Sequence, residues 1–279
     1  MEEGDGTGTF TDETWAIWEP LIEEVRPRGR TPPHDLRRTI AAIFWHHENG
    51  AKWRSIPAEL RPWWRAAQLF IRWAKLGVWE RLLELVQGQQ GMALGMTFLD
   101  GTDIRAHHKA AGGSKKGASF EERDHREAPG RSRGGYGTKV CVIADGHGKA
   151  FGFALAPGQA HELPLAPATL DNLPTIPLWM VADKGNASNA FRERIWDMGA
   201  RSAIPAKRRD GSVACPKWAY RCRHLVENLW ARLKEWRAVA TRYEKTATSF
   251  LAVIHIAAAA DWIKPEQALP LVLKSRHVV

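Results

Sequence analysis

The sequence predicts an α/β protein: a mixed sheet flanked by helices, preceded by a small all-α region. Three observations predict it. Residues 1–90 repeat apolar side chains at helical spacing and hold no alternating run of strand length. From Gly95 onward, short runs with strand character mix with helical ones in the order β-β-β-α-β-α-β-α. The 279 residues are 44% hydrophobic and 25% charged, enough apolar material for a real core. We therefore divide the chain at residue 90, into a helical part (1–90) and an α/β part (91–279).

In the first part, residues 1–10 are rich in Gly and Glu and read as loose. Thr11 or Asp12 can cap a helix that carries Trp15, Trp18 and Leu21. The Pro/Arg/Gly stretch 26–33 reads as a linker or basic arm. Leu36, Ile40, Ile43 and Phe44 then define a helix over 35–47, ended by Asn49-Gly50. After a turn over 52–57, two further helices are expected at 62–75 and 78–88. Short helices behind a basic entry suggest a helix-turn-helix-like DNA-binding or dimerisation module; a plain helical cap on the main domain is the other reading.

In the second part, 96–105, 138–144 and 150–155 read as strands. Between the first two, 107–137 is rich in Gly, Lys, Arg and Glu and is expected to be a mobile loop. Its adjacent His107 and His108 lack a third ligand at helical spacing and read as surface. A helix at 162–172, a strand at 178–182, a helix at 188–198 and a strand at 201–205 follow. A basic loop (207–217) feeds a long helix over 218–236, and 249–263 makes a last apolar one. This is the element order of the ribonuclease H-like fold.

The helix over 218–236 contains no Gly or Pro, and Pro216 suits its first turn. Leu225, Val226, Leu229, Leu233 and Trp236 collect on one side as a buried stripe. Tyr220, Arg223, Glu227 and Lys234 fall within an arc of about 60° on the other side. One carboxylate thus stands among a phenol, a guanidinium and an ammonium. Taken alone, such a face reads first as a solvated one with ordinary charge pairs; the rest of the chain overturns that reading.

The formal net charge is +9 and the pI near 9.7, which points to a polyanionic partner. Residues 201–245 carry 12 Lys and Arg against 4 Asp and Glu, so nearly the whole excess surrounds that helix. A second basic cluster is Arg26, Arg28, Arg30, Arg37 and Arg38. Three cysteines without C-x-x-C spacing give no disulfide or zinc framework and fit a reducing compartment. No leader-like segment opens the sequence and no apolar run reaches membrane-spanning length, so a cytoplasmic location is expected.

Asp100 (in F-L-D-G-T) lies on the first strand and Asp183 (in W-M-V-A-D-K-G) ends the fourth, where open α/β sheets present their chemistry. With Glu227 they would make a carboxylate triad able to hold two divalent cations roughly 3.5–4 Å apart. Carboxylate ligands suit Mg²⁺ or Mn²⁺. Asp103 and Asp145 are rivals, although Asp103 has the opposite strand parity to Asp100 and should face away.

The spacing Y-(2)-R-(3)-E-(6)-K, met by Tyr220, Arg223, Glu227 and Lys234, resembles the signature of DDE transposases of bacterial insertion sequences, in the IS-four/IS-five group. The surrounding R-H-L-V-E-N-L-W-A-R-L-K-E-W-R-A-V-A-T-R-Y resembles that family's C-terminal block. L-D-G-T-D-I-R-A-H, G-R-S-R-G-G-Y-G-T-K-V and P-G-Q-A-H-E resemble its first-Asp and central motifs, and G-A-K-W-R-S-I-P its helical region. The likeness covers about 11–264. One departure stands after A-D-K-G, where the family usually has an aromatic residue and then an acid; this chain has Asn186-Ala187, which bears on the packing of the loop.

The resemblance implies metal-dependent DNA strand cleavage and strand transfer at element ends. Asp100, Asp183 and Glu227 would bind Mg²⁺ or Mn²⁺, in two ions. Tyr220, Arg223, Lys234 and Arg237 would contact DNA phosphates. The implied partners are duplex DNA (terminal inverted repeats and target) and a second copy of the chain, as a homodimer. A domesticated DNA-binding protein, or a ribonuclease H-like nuclease without strand transfer, would keep the same fold.

Overall fold

The computed structural model describes residues 10–29, 35–110, 130–132, 135–158, 170, 173–208 and 211–264. Four helices come first: α1 (Asp12–Val25), α2 (Leu36–Asn49), α3 (Trp63–Lys75) and α4 (Val78–Gln90). Thr11 caps α1 by accepting from the Thr14 N–H, and Asp35 caps α2. Gly50 closes α2 at φ +56°, a left-handed conformation that costs glycine nothing. The expected helix at 35–47 thus runs two residues further.

The sheet holds β1 (Met96–Ala106), β2 (Gly130–Ser132), β3 (Gly135–Ala144), β4 (Ala150–Pro157), β5 (Trp179–Ala182), β6 (Arg201–Ala203) and β7 (Thr241–Arg242). With the short β2 and β7 at the margins left out, the strands run β4-β3-β1-β5-β6. Pairing is antiparallel from β4 through β3 to β1, and parallel from β1 through β5 to β6. This is the ribonuclease H-like order that the sequence predicts.

On the β5 edge of β1, the parallel pairing stops at Leu99↔Ala182 and resumes only with β7 at Arg105↔Thr241. The sheet is therefore split beside Asp100–Ile104.

After β5 come α5 (Asn189–Asp197), α6 (Lys217–Arg221), α7 (His224–Lys234), α8 (Arg237–Ala240) and α9 (Ala247–Ile263). α9 is apolar on all sides and correspondingly buried, from Phe250 to Trp262. No helix among the described residues is long and apolar enough to cross a membrane. One apolar cluster runs from Trp18, Phe44 and Trp79 through Val253 and Ile256 to Val226, Leu229 and Phe98. A smaller cluster on the other face of the sheet contains Leu99, Met180, Ala182 and Phe191.

Two expectations are corrected. The stretch 218–236 is not one uniform helix. The amides of Cys222, Arg223, Leu225 and Val226 each bond the carbonyl three residues back, so the chain tightens between α6 and α7. The stretch 107–137 is not one loop either. Residues 130–132 pair with 135–137 as a β-ribbon, because β3 extends beyond its expected start. Most of the expected helix at 162–172 and residues 111–129 lie outside the described residues; Leu170 is buried.

Candidate active site

Register brings the first two carboxylates together. Leu99 pairs with Ala182 on adjacent parallel strands, so Asp100 and Asp183 are the next residues of each. Strands lie about 4.8 Å apart, and alternate side chains share a face. Phe98 and Val181, two residues earlier on each strand, belong to the cluster beneath α7, so both aspartates point to the α7 side.

α7 is held over that side by its buried stripe: Val226, Leu229 and Leu233, with Trp230 beside them. The β3–β4 hairpin fixes its first turn. Gly148, at φ +72°, lies so close that a Cβ there would sit 2.8 Å from the Leu225 carbonyl oxygen. Arg232 then donates to the Gly148 carbonyl at 2.8 Å and to Asp261 Oδ1 at 2.6 Å, tying α7 to the hairpin and to α9.

So positioned, Arg223 joins Asp100 to the third carboxylate, Glu227. Its Nη2 donates to Asp100 Oδ1 at 2.6 Å, and its Nη1 lies 3.2 Å from Glu227 Oε1. Asp100 is buried, whereas the Glu227 side chain is 56% exposed, so the group opens to solvent on the α7 side. Burial pushes the Asp100 carboxyl up; Arg223 pulls it back, and the Asp183 and Glu227 charges push it up again, leaving it raised. Burial works against the Arg223 guanidinium, but the hydrogen bond and charge of Asp100, with Tyr220 and Asp183, hold it above its usual value.

Lys234, about three turns beyond Arg223, donates to Thr102 Oγ1 at 2.8 Å across the split in the sheet. Tyr220 lies half-buried on α6, close enough to act on Arg223 electrostatically. Arg237 is exposed on α8, with its Cβ 2.9 Å from where a Gly50 Cβ would stand. The structure thus gathers Asp100, Asp183, Glu227, Arg223 and Tyr220, sets Lys234 further along β1, and carries Arg237 on the next short helix.

The rivals do other work. Asp103 is exposed, 3.6 Å from Lys139. Asp145 is fully buried and accepts from the Ala93, His147 and Lys149 amides, shaping the hairpin turn.

Three residues at the site were given no role by the sequence. Thr102 is the partner of Lys234. Asn186 donates from both its amide and its side chain to Asp183 Oδ1, at 3.2 and 2.9 Å. Gly185 lies under the same carboxylate, where a Cβ would stand 3.0 Å from Oδ1 and 3.3 Å from Oδ2. The signal for the last two was the departure at Asn186 itself: a buried amide three residues after a carboxylate is a capping partner.

Two family profiles match this chain: "Putative transposase of IS4/5 family" over residues 10–83, and "Transposase DDE domain" over 180–264. The chain is 29% identical over 129 residues to the "Putative transposase for insertion sequence element IS6501" of Brucella ovis, a match spanning 46% of this chain and 98% of that one. It is 32% identical over 108 residues to the "Insertion element IS402 uncharacterized 16.2 kDa protein" of Burkholderia cepacia, spanning 34% and 71%. Among solved structures, it is similar to the piggyBac transposase synaptic complex with hairpin DNA, with a TM-score of 0.45 and 11% identity over 91% of this chain and 73% of that one. It is also similar to the Mos1 transposase paired-end complex, with a TM-score of 0.26 and 12% identity over 84% and 90%.

Proposed function

The chain belongs to the DDE transposases of bacterial insertion sequences, and we propose that it cuts the ends of its element and joins them to target DNA through Asp100, Asp183 and Glu227. The register that sets Asp100 beside Asp183, with Arg223 joining Asp100 to Glu227, carries this reading.

The donor set fits hard divalent cations. Three carboxylates converge, and a single guanidinium spans two of them in place of a stronger positive charge. Asp100, Asp183 and Glu227 would hold two Mg²⁺ or Mn²⁺ ions. Ions held there would supply the chemistry of activating water or a 3′-hydroxyl and stabilising the leaving oxygen of an in-line phosphoryl transfer.

The chain's own residues supply position and charge. Asn186 fixes Asp183 so that its carboxylate is set before substrate arrives. Arg223 presents a planar fork that suits phosphate as well as carboxylate, and Lys234 offers a point charge along β1. Tyr220 flanks the fork, and Arg237 extends the basic face toward the flanking duplex. Residues 1–90 contribute end-sequence recognition or dimerisation, and the active complex is a homodimer on paired ends, acting in the cytoplasm.

The test is product analysis on labelled DNA carrying an element end. Joined products with Mg²⁺ support the reading. Cut products without joining indicate a nuclease, and binding without cutting indicates a DNA-binding protein that has lost its chemistry.

A further inference from the structure

Far from the carboxylates, the last turn of α2 presents His46 and His47 toward the chain that follows β7. His47 is completely buried, and neither of its ring nitrogens has a hydrogen-bond partner; His46 is buried with its Nδ1 likewise unpartnered. Burying such nitrogens without partners is costly, so the arrangement calls for a further group. Opposite them stands the half-buried Glu244. One ligand atom from each of the three lies within 4.8 Å of the other two.

The surroundings hold all three in place. His46 stacks on Trp53, with ring centroids 3.6 Å apart and planes 15° from parallel. His47 packs on Phe70 at 4.4 Å. Glu244 is fixed by the fully buried Arg242, which donates to its carbonyl at 2.9 Å. The two segments already touch: a Cβ on Gly50 would meet Arg237 Cβ at 2.9 Å and Tyr243 Cε2 at 3.3 Å.

We propose that His46, His47 and Glu244 bind one zinc-class transition-metal ion that fastens the N-terminal helices to the segment between β7 and α9. Two imidazole nitrogens and one carboxylate oxygen favour Zn²⁺ or Co²⁺ over Mg²⁺, whose preferred ligands are all oxygen. Three protein ligands leave a fourth position for water. This site is independent of the carboxylate triad and does not rest on the function proposed above.

The test uses the full chain, stripped with a chelator and titrated with Co²⁺ in excess Mg²⁺, which occupies all-carboxylate sites. One Co²⁺ per chain should bind, with the visible absorption of a four-coordinate site and quenching of tryptophan fluorescence, and equimolar Zn²⁺ should displace it. Zn²⁺ should also raise the melting temperature. His46→Gln and Glu244→Gln, which nearly preserve volume, should each weaken Co²⁺ binding at least tenfold and abolish the melting shift. Absence of the Co²⁺ band in the wild-type chain would overturn the proposal, whatever the variants do. So would a band whose affinity is unchanged in both variants.

Discussion

Arg223 donates to Asp100 Oδ1 at 2.6 Å from the N-cap of α7, 123 residues further along the chain. The contact joins the first strand of the sheet to the helix that carries Glu227, and it puts a cation between two of the three carboxylates. Without it, burial and the neighbouring charges would drive Asp100 further toward its neutral form.

Arg223→Gln should therefore split two properties that a purely structural residue would move together. Removing the cation that competes for Asp100 should tighten Mn²⁺ binding to the free protein, read by calorimetry. Cleavage of end DNA should fall ten- to a hundredfold, about 1.5–3 kcal/mol, as expected when a charged hydrogen-bonding group is lost from phosphate. Parallel losses in both would make Arg223 a structural brace only.

Lys234→Ala removes the ammonium that bonds Thr102. We expect cleavage and end-DNA affinity to drop together, with unchanged dependence on metal concentration. Thr102→Val keeps the ammonium and should leave DNA affinity within about twofold, since it loses only one ordinary hydrogen bond of about 1 kcal/mol at the protein's own surface. Equal damage from both would assign Lys234 to holding β1 rather than DNA.

Much of this was legible in the sequence because it rests on local patterns. Strand parity separates Asp100 from Asp103, and helical periodicity sets Arg223 four residues before Glu227, on the same face. What escaped was non-local or irregular. The tightened turn at Cys222–Arg223 involves no Gly or Pro, so periodicity alone runs through it. The β2–β3 ribbon is written in Gly, Arg and Ser, residues that read as loop until a neighbouring strand pairs with them. The Asp100–Asp183 adjacency is expected from strand ends and from the family resemblance, but the register that produces it joins strands 83 residues apart and cannot be read from periodicity. The His46–His47–Glu244 cluster joins segments almost 200 residues apart, and adjacent histidines on one helix give no ligand spacing by themselves.

Asp261 should matter for stability. It accepts two hydrogen bonds from Arg232 at 2.6 and 3.1 Å, and Lys149 Nζ lies 3.6 Å from its Oδ2. Asp261→Ala leaves two partly buried cations facing each other and should cost about 3 kcal/mol, visible as a lower urea midpoint. Asp103→Ala, which removes an exposed carboxylate 3.6 Å from Lys139, should cost less than about 1 kcal/mol. Similar midpoints for the two variants would mean that the buried network contributes little.

His255, buried on α9 beside Phe153, sets an acid limit. Burial disfavours its imidazolium and lowers its pKa from 6.5 to about 4. Between those values the unfolded chain takes up a proton that the folded one refuses. The stability contribution is thus complete above pH 6.5 and is lost as the pH falls toward 4, by about 3 kcal/mol at most. His46, lowered to about 3, acts in the same direction; Glu244, pushed up to about 7 by burial, acts in the opposite one. The informative quantity is therefore the difference between wild type and His255→Leu, measured in chelator. The gap between their unfolding midpoints should change steadily in the variant's favour from pH 7 to pH 4; a constant gap would contradict a buried neutral imidazole.

The most direct measurement is Mg²⁺-dependent nicking of a labelled element end by Glu227→Gln, run beside a gel shift on the same DNA. Glutamine keeps the size of the side chain and removes the charge that a divalent ion requires. Cleavage should disappear, while DNA binding stays equal or tightens slightly, because a negative charge next to phosphate is gone. Glu235→Gln, exposed and outside the group, serves as the control and should cut like wild type. Wild-type cutting by Glu227→Gln would contradict the assignment of Asp100, Asp183 and Glu227 as the catalytic triad.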